Sequence, residues 1–311
     1  MTRSILLPGQ GAQTPGMGQA WYTAFPTARA VFDAADEALG LSLSTLCFEG
    51  GDDVHRTDVA QPGILTTSIA ILSVLVERGL DLSKAPMTAG LSLGEYTALW
   101  VAGSLEFEDA VRLVRLRGEA MQAASEATPS SMTSLMGADL ETAKKLASLG
   151  AEHGICSVAN LNSPGQIVLS GELAALDAVE AAAKEHGVRR AVRLTVAGGF
   201  HSECMRPAAE RLTTALAEIE IRAPRIPFLT NVTGEPVDDV DAIRRYLADQ
   251  VCSPVLWEKS MRWAVEHGHR SFLEPGPGSV LSALVRKVDR EVDTLGVDQP
   301  EHLDAFTPEG A

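Results

Sequence analysis

The stretch Gly90-Leu91-Ser92-Leu93-Gly94 constrains this chain more than any other. The run Met87-Thr88-Ala89 before it can end a strand, and Glu95-Tyr96-Thr97-Ala98-Leu99-Trp100-Val101-Ala102 after it reads as an uninterrupted helix. Gly-x-Ser-x-Gly between a strand and a helix is the nucleophile-elbow pattern. Its glycines remove Cβ atoms where a tight turn presses strand against helix. The serine then stands at a helix N-terminus, where free backbone N–H groups can face a developing oxyanion. A plain Gly-Ser turn capping a helix has the same spacing, so the motif makes Ser92 a candidate nucleophile and leaves its partners to be found.

The rest of the chain can supply the core around such a turn. It has 311 residues, 45% hydrophobic, enough for one large or two ordinary domains. A net charge of −15 argues against a general nucleic-acid or membrane-surface binder, so an acidic partner would need a local basic patch. Cys47, Cys156, Cys204 and Cys252 are far apart and form no Cys-x-x-Cys pair, the usage of a reduced, cytoplasmic protein. The apolar run behind Met1 is too short for a signal peptide. The charge-free stretch from Gly63 to Val76 is too short to span a bilayer and reads as a buried helix.

Along the chain, Ser4 to Leu7 reads as a first strand running into the loop Pro8-Gly9-Gln10-Gly11-Ala12-Gln13. That loop lacks the Lys-Ser/Thr ending of a phosphate-binding loop, and its glycines do not space as a dinucleotide fingerprint. Helices are expected over 20–39, 62–78 and 107–124. From Met132 to Val196 the pattern is strand, helix 140–153, strand 155–159, a turn at Asn162-Ser163-Pro164-Gly165, strand 166–170, helix 172–186 and strand 190–195. That βαββαβ order is the signature of a ferredoxin-like unit, here inserted between the elbow half and the remainder. Beyond it come helices at 206–218, 242–250, 257–267 and 280–287, strands at 227–231 and 270–274, and an acidic tail from Gln299 to Ala311 that reads as disordered.

A serine hydroxyl needs a base. Most of the seven histidines sit in polar, helix-end or tail contexts. His201 differs, because it follows Gly198-Gly199-Phe200 just after an expected strand, where open α/β sheets carry their active groups. It is a candidate base, with a structural loop histidine as the alternative. Arg115 and Arg117 cannot share a helix face. Arg115 reads as the solvated one. Arg117 can point inward, where it needs an anionic partner. The residues alone favour an internal ion pair with one of the 41 acidic side chains.

Several blocks, in order, give the chain a specific likeness. They are Pro8-Gly9-Gln10-Gly11-Ala12-Gln13, Gln61-Pro62, Gly90-Leu91-Ser92-Leu93-Gly94-Glu95, Val114-Arg115-Leu116-Arg117-Gly118-Glu119-Ala120-Met121, and Asn160-Leu161-Asn162-Ser163-Pro164-Gly165-Gln166. Gly199-Phe200-His201-Ser202, Gln250-Val251-Cys252-Ser253-Pro254-Val255-Leu256-Trp257 and Glu274-Pro275-Gly276-Pro277-Gly278 complete the series. Over nearly its whole length the chain resembles the malonyl-CoA:acyl carrier protein transacylase family, which includes acyltransferase domains of polyketide synthases. The resemblance implies Ser92 as nucleophile, His201 as base, and Gln250 orienting the imidazole through its backbone carbonyl. It implies an oxyanion hole from the amides of Gln10 and Leu93. It makes Arg117 the clamp for a substrate carboxylate, which a planar guanidinium grips bidentately. Met121, Phe200, Asn162 and Gln61 would complete the substrate site, Phe200 being the residue type that goes with malonyl over methylmalonyl. Leu91 is a departure: the family most often has histidine there, and leucine removes a polar contact near the acyl group.

These readings combine into an α/β enzyme, an α/β-hydrolase-like parallel-sheet domain formed by residues 1–127 and 197–311, with an inserted ferredoxin-like subdomain at 128–196. The implied reaction moves malonyl from malonyl-CoA to the phosphopantetheine thiol of acyl carrier protein, with no metal or other cofactor and with the enzyme as a monomer. A serine acyl hydrolase and a non-catalytic carrier-protein docking module are the alternatives. Arg117 speaks against the first, and an intact Ser92 and His201 against the second. For the acidic carrier protein, Lys184, Arg189, Arg190 and Arg193 form one basic cluster and Arg286, Lys287 and Arg290 another.

Overall fold

The structure, a computed structural model, describes residues 2–306. Its strands are, in chain order, Ser4–Leu7 (β1), Thr88–Gly90 (β2), Ser130–Met136 (β3), Cys156–Ser163 (β4), Gln166–Glu172 (β5), Arg190–Arg193 (β6), Phe228–Leu229 (β7), Ser271–Pro275 (β8) and Asp293–Val297 (β9). They form two sheets. The five-stranded one runs β7-β2-β1-β8-β9 with every neighbour parallel. Ile5, Leu6 and Leu7 of β1 are all fully buried, as a central parallel strand covered on both faces requires. The four-stranded sheet runs β4-β5-β3-β6 with every neighbour antiparallel. Helices Leu140–Gly150 and Leu173–Ala182 connect its strands, giving the ferredoxin-like βαββαβ unit expected.

Two helices carry the larger half's core. Thr57–Glu77 packs along Phe107–Ala127 and is buried around nearly its whole circumference. Thr57–Glu77 starts before the expected boundary, with Pro62 inside its second turn. Although long and apolar enough to cross a membrane, it has 89% of its most apolar stretch buried inside the protein. The single helix expected over 20–39 is two, Gln19–Ala24 and Pro26–Leu39. The break falls at Phe25, extended at φ −127° and ψ 120°, because a proline disfavours helical backbone in the residue before it.

The chain end also differs from expectation. Strand β9 gives little alternation to read, and Pro300–Ala305 forms a 3₁₀ turn that buries Leu303. Trp21 Nε1 donates to the Asp298 carbonyl at 2.6 Å. The expected disordered tail is therefore ordered as far as residue 306, and 307–311 lie outside the described residues.

What positions the site is the join between the sheets. Leu161 N–H donates to Val255 O at 2.9 Å and Val255 N–H to Ala159 O at 2.8 Å, so β4 is stitched to the loop ahead of helix Trp257–Glu266. Lys287, on helix Val280–Val288, donates to Gln166 Oε1 at the start of β5. Between these ties a cleft opens over the end of β2.

Candidate active site

The elbow glycines are required by contact. A Cβ on Gly90 would stand 1.9 Å from the Gly94 carbonyl carbon, and one on Gly94 would stand 2.2 Å from Leu7 O. The turn they allow leaves Ser92 at φ 53°. His201, at φ 60°, is the other non-glycine residue with positive φ among the described residues. Such backbone costs on the order of 1–3 kcal/mol per residue and persists only where surrounding bonds hold it. Asn231 supplies them at the elbow: its Oδ1 accepts Ser92 N–H at 2.6 Å and its Nδ2 donates to Gly90 O at 2.7 Å.

Ser92 Oγ lies 2.8 Å from His201 Nε2, and His201 Nδ1 lies 2.8 Å from the Gln250 carbonyl. A carbonyl only accepts, so the proton sits on Nδ1 and Nε2 is left to accept from the serine. Burial, with the Arg117 charge second, pushes the imidazole down to about 4. His201 is therefore neutral at pH 7, the state a general base needs.

Arg117 is only 1% exposed. Its Nη1 donates to Gln61 Oε1 at 2.7 Å, and its Nη2 to Ser92 Oγ at 3.0 Å and Gln250 Oε1 at 2.9 Å. Its guanidinium carbon stands 5.7 Å from the centre of the Tyr96 ring. Burial lowers its pKa. Among the described residues it has no carboxylate within 4.0 Å, so the internal ion pair favoured by the residues alone is absent. That pair belongs to Arg115, which was read as solvated. Arg115 is 19% exposed at its side chain and bridges Asp58 at 3.0 Å and Glu119 at 2.7 Å. Two positions of offset on one helix put these side chains in opposite electrostatic settings.

The cleft has a volume of about 830 Å³, within the range of small-molecule sites. Gln10, Leu91, Ser92, Met121, Phe200 and His201 line one side, with Met132, Asn160 and Asn162 from the second sheet on the other. The Asn162 side-chain oxygen has no hydrogen-bond partner among the described residues. The backbone amides of Gln10 and Leu93 have no acceptor among the described residues. Gln61 is not on the cleft wall: it is fully buried behind Arg117, its Nε2 donating to Gln10 Oε1 at 3.2 Å and to the Met121 sulfur at 3.4 Å. Asn231 and Glu95 were not anticipated. Asn231 lies in a turn with no periodicity to mark it. Glu95 had a visible signal, a lone charge opening an otherwise uncharged helical run. Burial raises its carboxyl to about 7, against hydrogen bonds from Asn231 and Gln250 and the charge of Arg117. No group of three or more metal-ligating side chains occurs among the described residues.

A nucleophile elbow on a parallel sheet faces a ferredoxin-like unit across the cleft, and residues 5–303 match the acyl transferase domain model, which places the chain among the acyltransferases. The chain belongs to the malonyl CoA-acyl carrier protein transacylase family of acyl transferases. It is 43% identical over 303 residues to the malonyl CoA-acyl carrier protein transacylase of Bacillus subtilis, covering 97% of this chain and 95% of that one. Its counterpart in Escherichia coli K12 is 39% identical, covering 94% and 93%. Among solved structures, the acyl-carrier-protein-S-malonyltransferase of Bartonella henselae superposes with a TM-score of 0.94 at 38% identity, covering 98% of both chains. A malonyl-transacylase solved in complex with a type II PKS acyl-carrier protein superposes at 0.93 with 35% identity, again covering 98% of both.

Proposed function

We propose that this enzyme transfers malonyl from malonyl-CoA to the phosphopantetheine thiol of acyl carrier protein through a malonyl-Ser92 intermediate. Ser92 Oγ attacks the thioester carbonyl while His201 Nε2 takes its proton. The tetrahedral oxyanion is received by the amides of Gln10 and Leu93. As the intermediate collapses, the C–S bond breaks and His201 returns the proton to the departing CoA sulfur. The carrier thiol then gives its proton to His201 and attacks the malonyl ester, and Ser92 Oγ recovers a proton as it leaves. Such covalent catalysis gives ping-pong kinetics. The Gln250 carbonyl keeps His201 in the accepting tautomer, so the site works as a dyad without an acidic third member.

The observation that carries this reading is Arg117: a buried guanidinium with no carboxylate of its own, bonded to the nucleophile's oxygen. Its unmet charge suits an acyl group that ends in a carboxylate. Met121 and Phe200 supply the apolar wall, and Asn162 an unpartnered acceptor for the pantetheine arm. Four free cysteines support a reducing compartment, the cytoplasm. The exposed Arg189 and Arg190 at the start of β6 are the docking surface we assign to the acidic carrier protein.

Intact mass after exposure to malonyl-, methylmalonyl- and acetyl-CoA tests the reading. A stable malonyl adduct that vanishes in Ser92→Ala is expected. Free malonate without carrier-protein transfer would point instead to a hydrolase, and no adduct to a docking module.

A further inference from the structure

Glu95, three residues after Ser92, is fully buried and has no cation within 4.0 Å among the described residues. Its Oε1 accepts the Asn231 backbone N–H at 2.5 Å and its Oε2 accepts Gln250 Nε2. Gln250 Nε2 also donates to Ser92 O at 3.0 Å, and Gln250 Oε1 accepts Arg117 Nη2 at 2.9 Å. One amide thus stands between a buried guanidinium and a buried carboxylate, with its donor end on the acid and its acceptor end on the base. An amide's two ends are nearly the same in shape, so neighbours must choose between them. Both Glu95 oxygens accept here, from Asn231 N–H and Gln250 Nε2, so this arrangement is that of the carboxylate, although burial brings its pKa up to about 7. In that form it never donates and admits only the NH₂ end of Gln250. Hydrogen bonds in series polarise one another, so the charge on Glu95 also strengthens the Gln250 carbonyl as acceptor for Arg117.

We propose that Glu95 is a positioning residue for the carboxylate clamp: through the Gln250 amide it holds Arg117 where the acyl group's free carboxylate arrives, setting acyl selectivity without touching substrate. This rests on the reading of Arg117 given above. The acidic residue matters here for its inability to donate. A glutamine at the same place, accepting from Asn231, would turn an NH₂ group on the NH₂ of Gln250. One of the two must swing away, and the Gln250 bond, one of the three that hold Arg117, goes with it.

The test compares single-turnover loading of Ser92 by malonyl-CoA and acetyl-CoA, read by quenched-flow intact mass. Glu95→Gln should slow malonyl loading about ten- to hundredfold relative to acetyl loading, the effect of one lost charge-assisted hydrogen bond. Gln250→Met removes the intermediary but keeps its backbone carbonyl on His201, and should give the same selective loss. The double variant should lose no more selectivity than Gln250→Met alone, the non-additivity of residues acting in series. If Glu95→Gln or Gln250→Met slows both substrates equally while the wild type still prefers malonyl, Glu95 is structural and the proposed function stands. If the wild type takes no malonyl, or takes both acyl groups alike, the function fails and the inference falls with it.

Discussion

The floor and the rim of the cleft are built on different physics. On the floor, Ser92, His201, Arg117, Gln250 and Glu95 are buried, and their polar atoms bond one another at fixed distances. Both positive-φ non-glycine residues lie there, stored strain that the surrounding bonds restrain. On the rim, Arg189, Arg190, Arg286 and Lys287 are exposed and form no ion pair among the described residues. A charge on the floor acts at full strength on one neighbour, whereas a charge on the rim acts weakly on whatever passes. The floor should therefore give large, residue-specific losses, and the rim small ones that salt can imitate.

The largest effect should come from the nucleophile. Ser92→Ala should abolish acyl-enzyme formation with the fold intact, checked by intact mass and circular dichroism. His201→Ala should slow acylation by about 10²–10⁴-fold, the usual loss when a general base is removed. Labelling of either variant at the normal rate overturns the dyad. The pH profile sharpens the same point. With burial holding the imidazole at about 4, acetyl loading should stay level from neutral pH down to roughly pH 5 and fall below it, since only neutral His201 accepts a proton. An ordinary midpoint, about 6.5, would mean that the histidine is solvated when it works.

Next in size is Arg117→Ala. Removing one partner of a desolvated charge pair costs about 2–5 kcal/mol. Malonyl loading should fall accordingly, while acetyl loading, which has no carboxylate to pair, should fall much less. Equal losses would return Arg117 to a structural role.

The floor was partly legible in the sequence, because chemistry there needs particular residue types at particular turns. The Gly-x-Ser-x-Gly spacing placed Ser92 on a strand–turn–helix, and the βαββαβ alternation marked out the second sheet. The helix spacing turned Arg117 inward, where the structure has it, but could not assign the ion pair, because only tertiary packing brings Asp58 to Arg115. Asn231 was invisible for a related reason: it reaches the elbow across 139 residues of chain, and no local pattern encodes that. The helix expected over 20–39 ran through Pro26, although a proline's effect on the residue before it was a visible signal for the break, whereas Pro62 stays inside a helix because burial of nearly every residue around it outweighs the lost hydrogen bond.

The smallest effect should lie on the rim, where it can be separated from the floor. Acyl carrier proteins are acidic and this enzyme carries −15, so attraction must come from a local surface. Of the first basic cluster, Arg193 is occupied by Asp177 and Glu180 at 2.8 and 2.7 Å, which leaves Lys184 in the turn ahead of β6, and Arg189 and Arg190 at its start. The register places the two arginines beside the cleft: Arg190 pairs with Met136 of β3, and Met136 pairs on its other side with Gln166, which lines the cleft. Lys287 bonds to that same Gln166, so the second cluster meets the first at this edge. Arg189→Glu with Arg190→Glu should raise the KM for carrier protein about three- to tenfold, since exposed charges contribute up to about 1 kcal/mol each. Malonyl loading of Ser92 from malonyl-CoA should not change. Added salt should weaken wild-type transfer in the same way, because exposed charges are screened within about 8–10 Å at physiological ionic strength. An unchanged KM for carrier protein would move the docking surface to the Arg286 and Lys287 side of the edge. A slowed loading step would show instead that rim and floor are coupled, breaking the division between them.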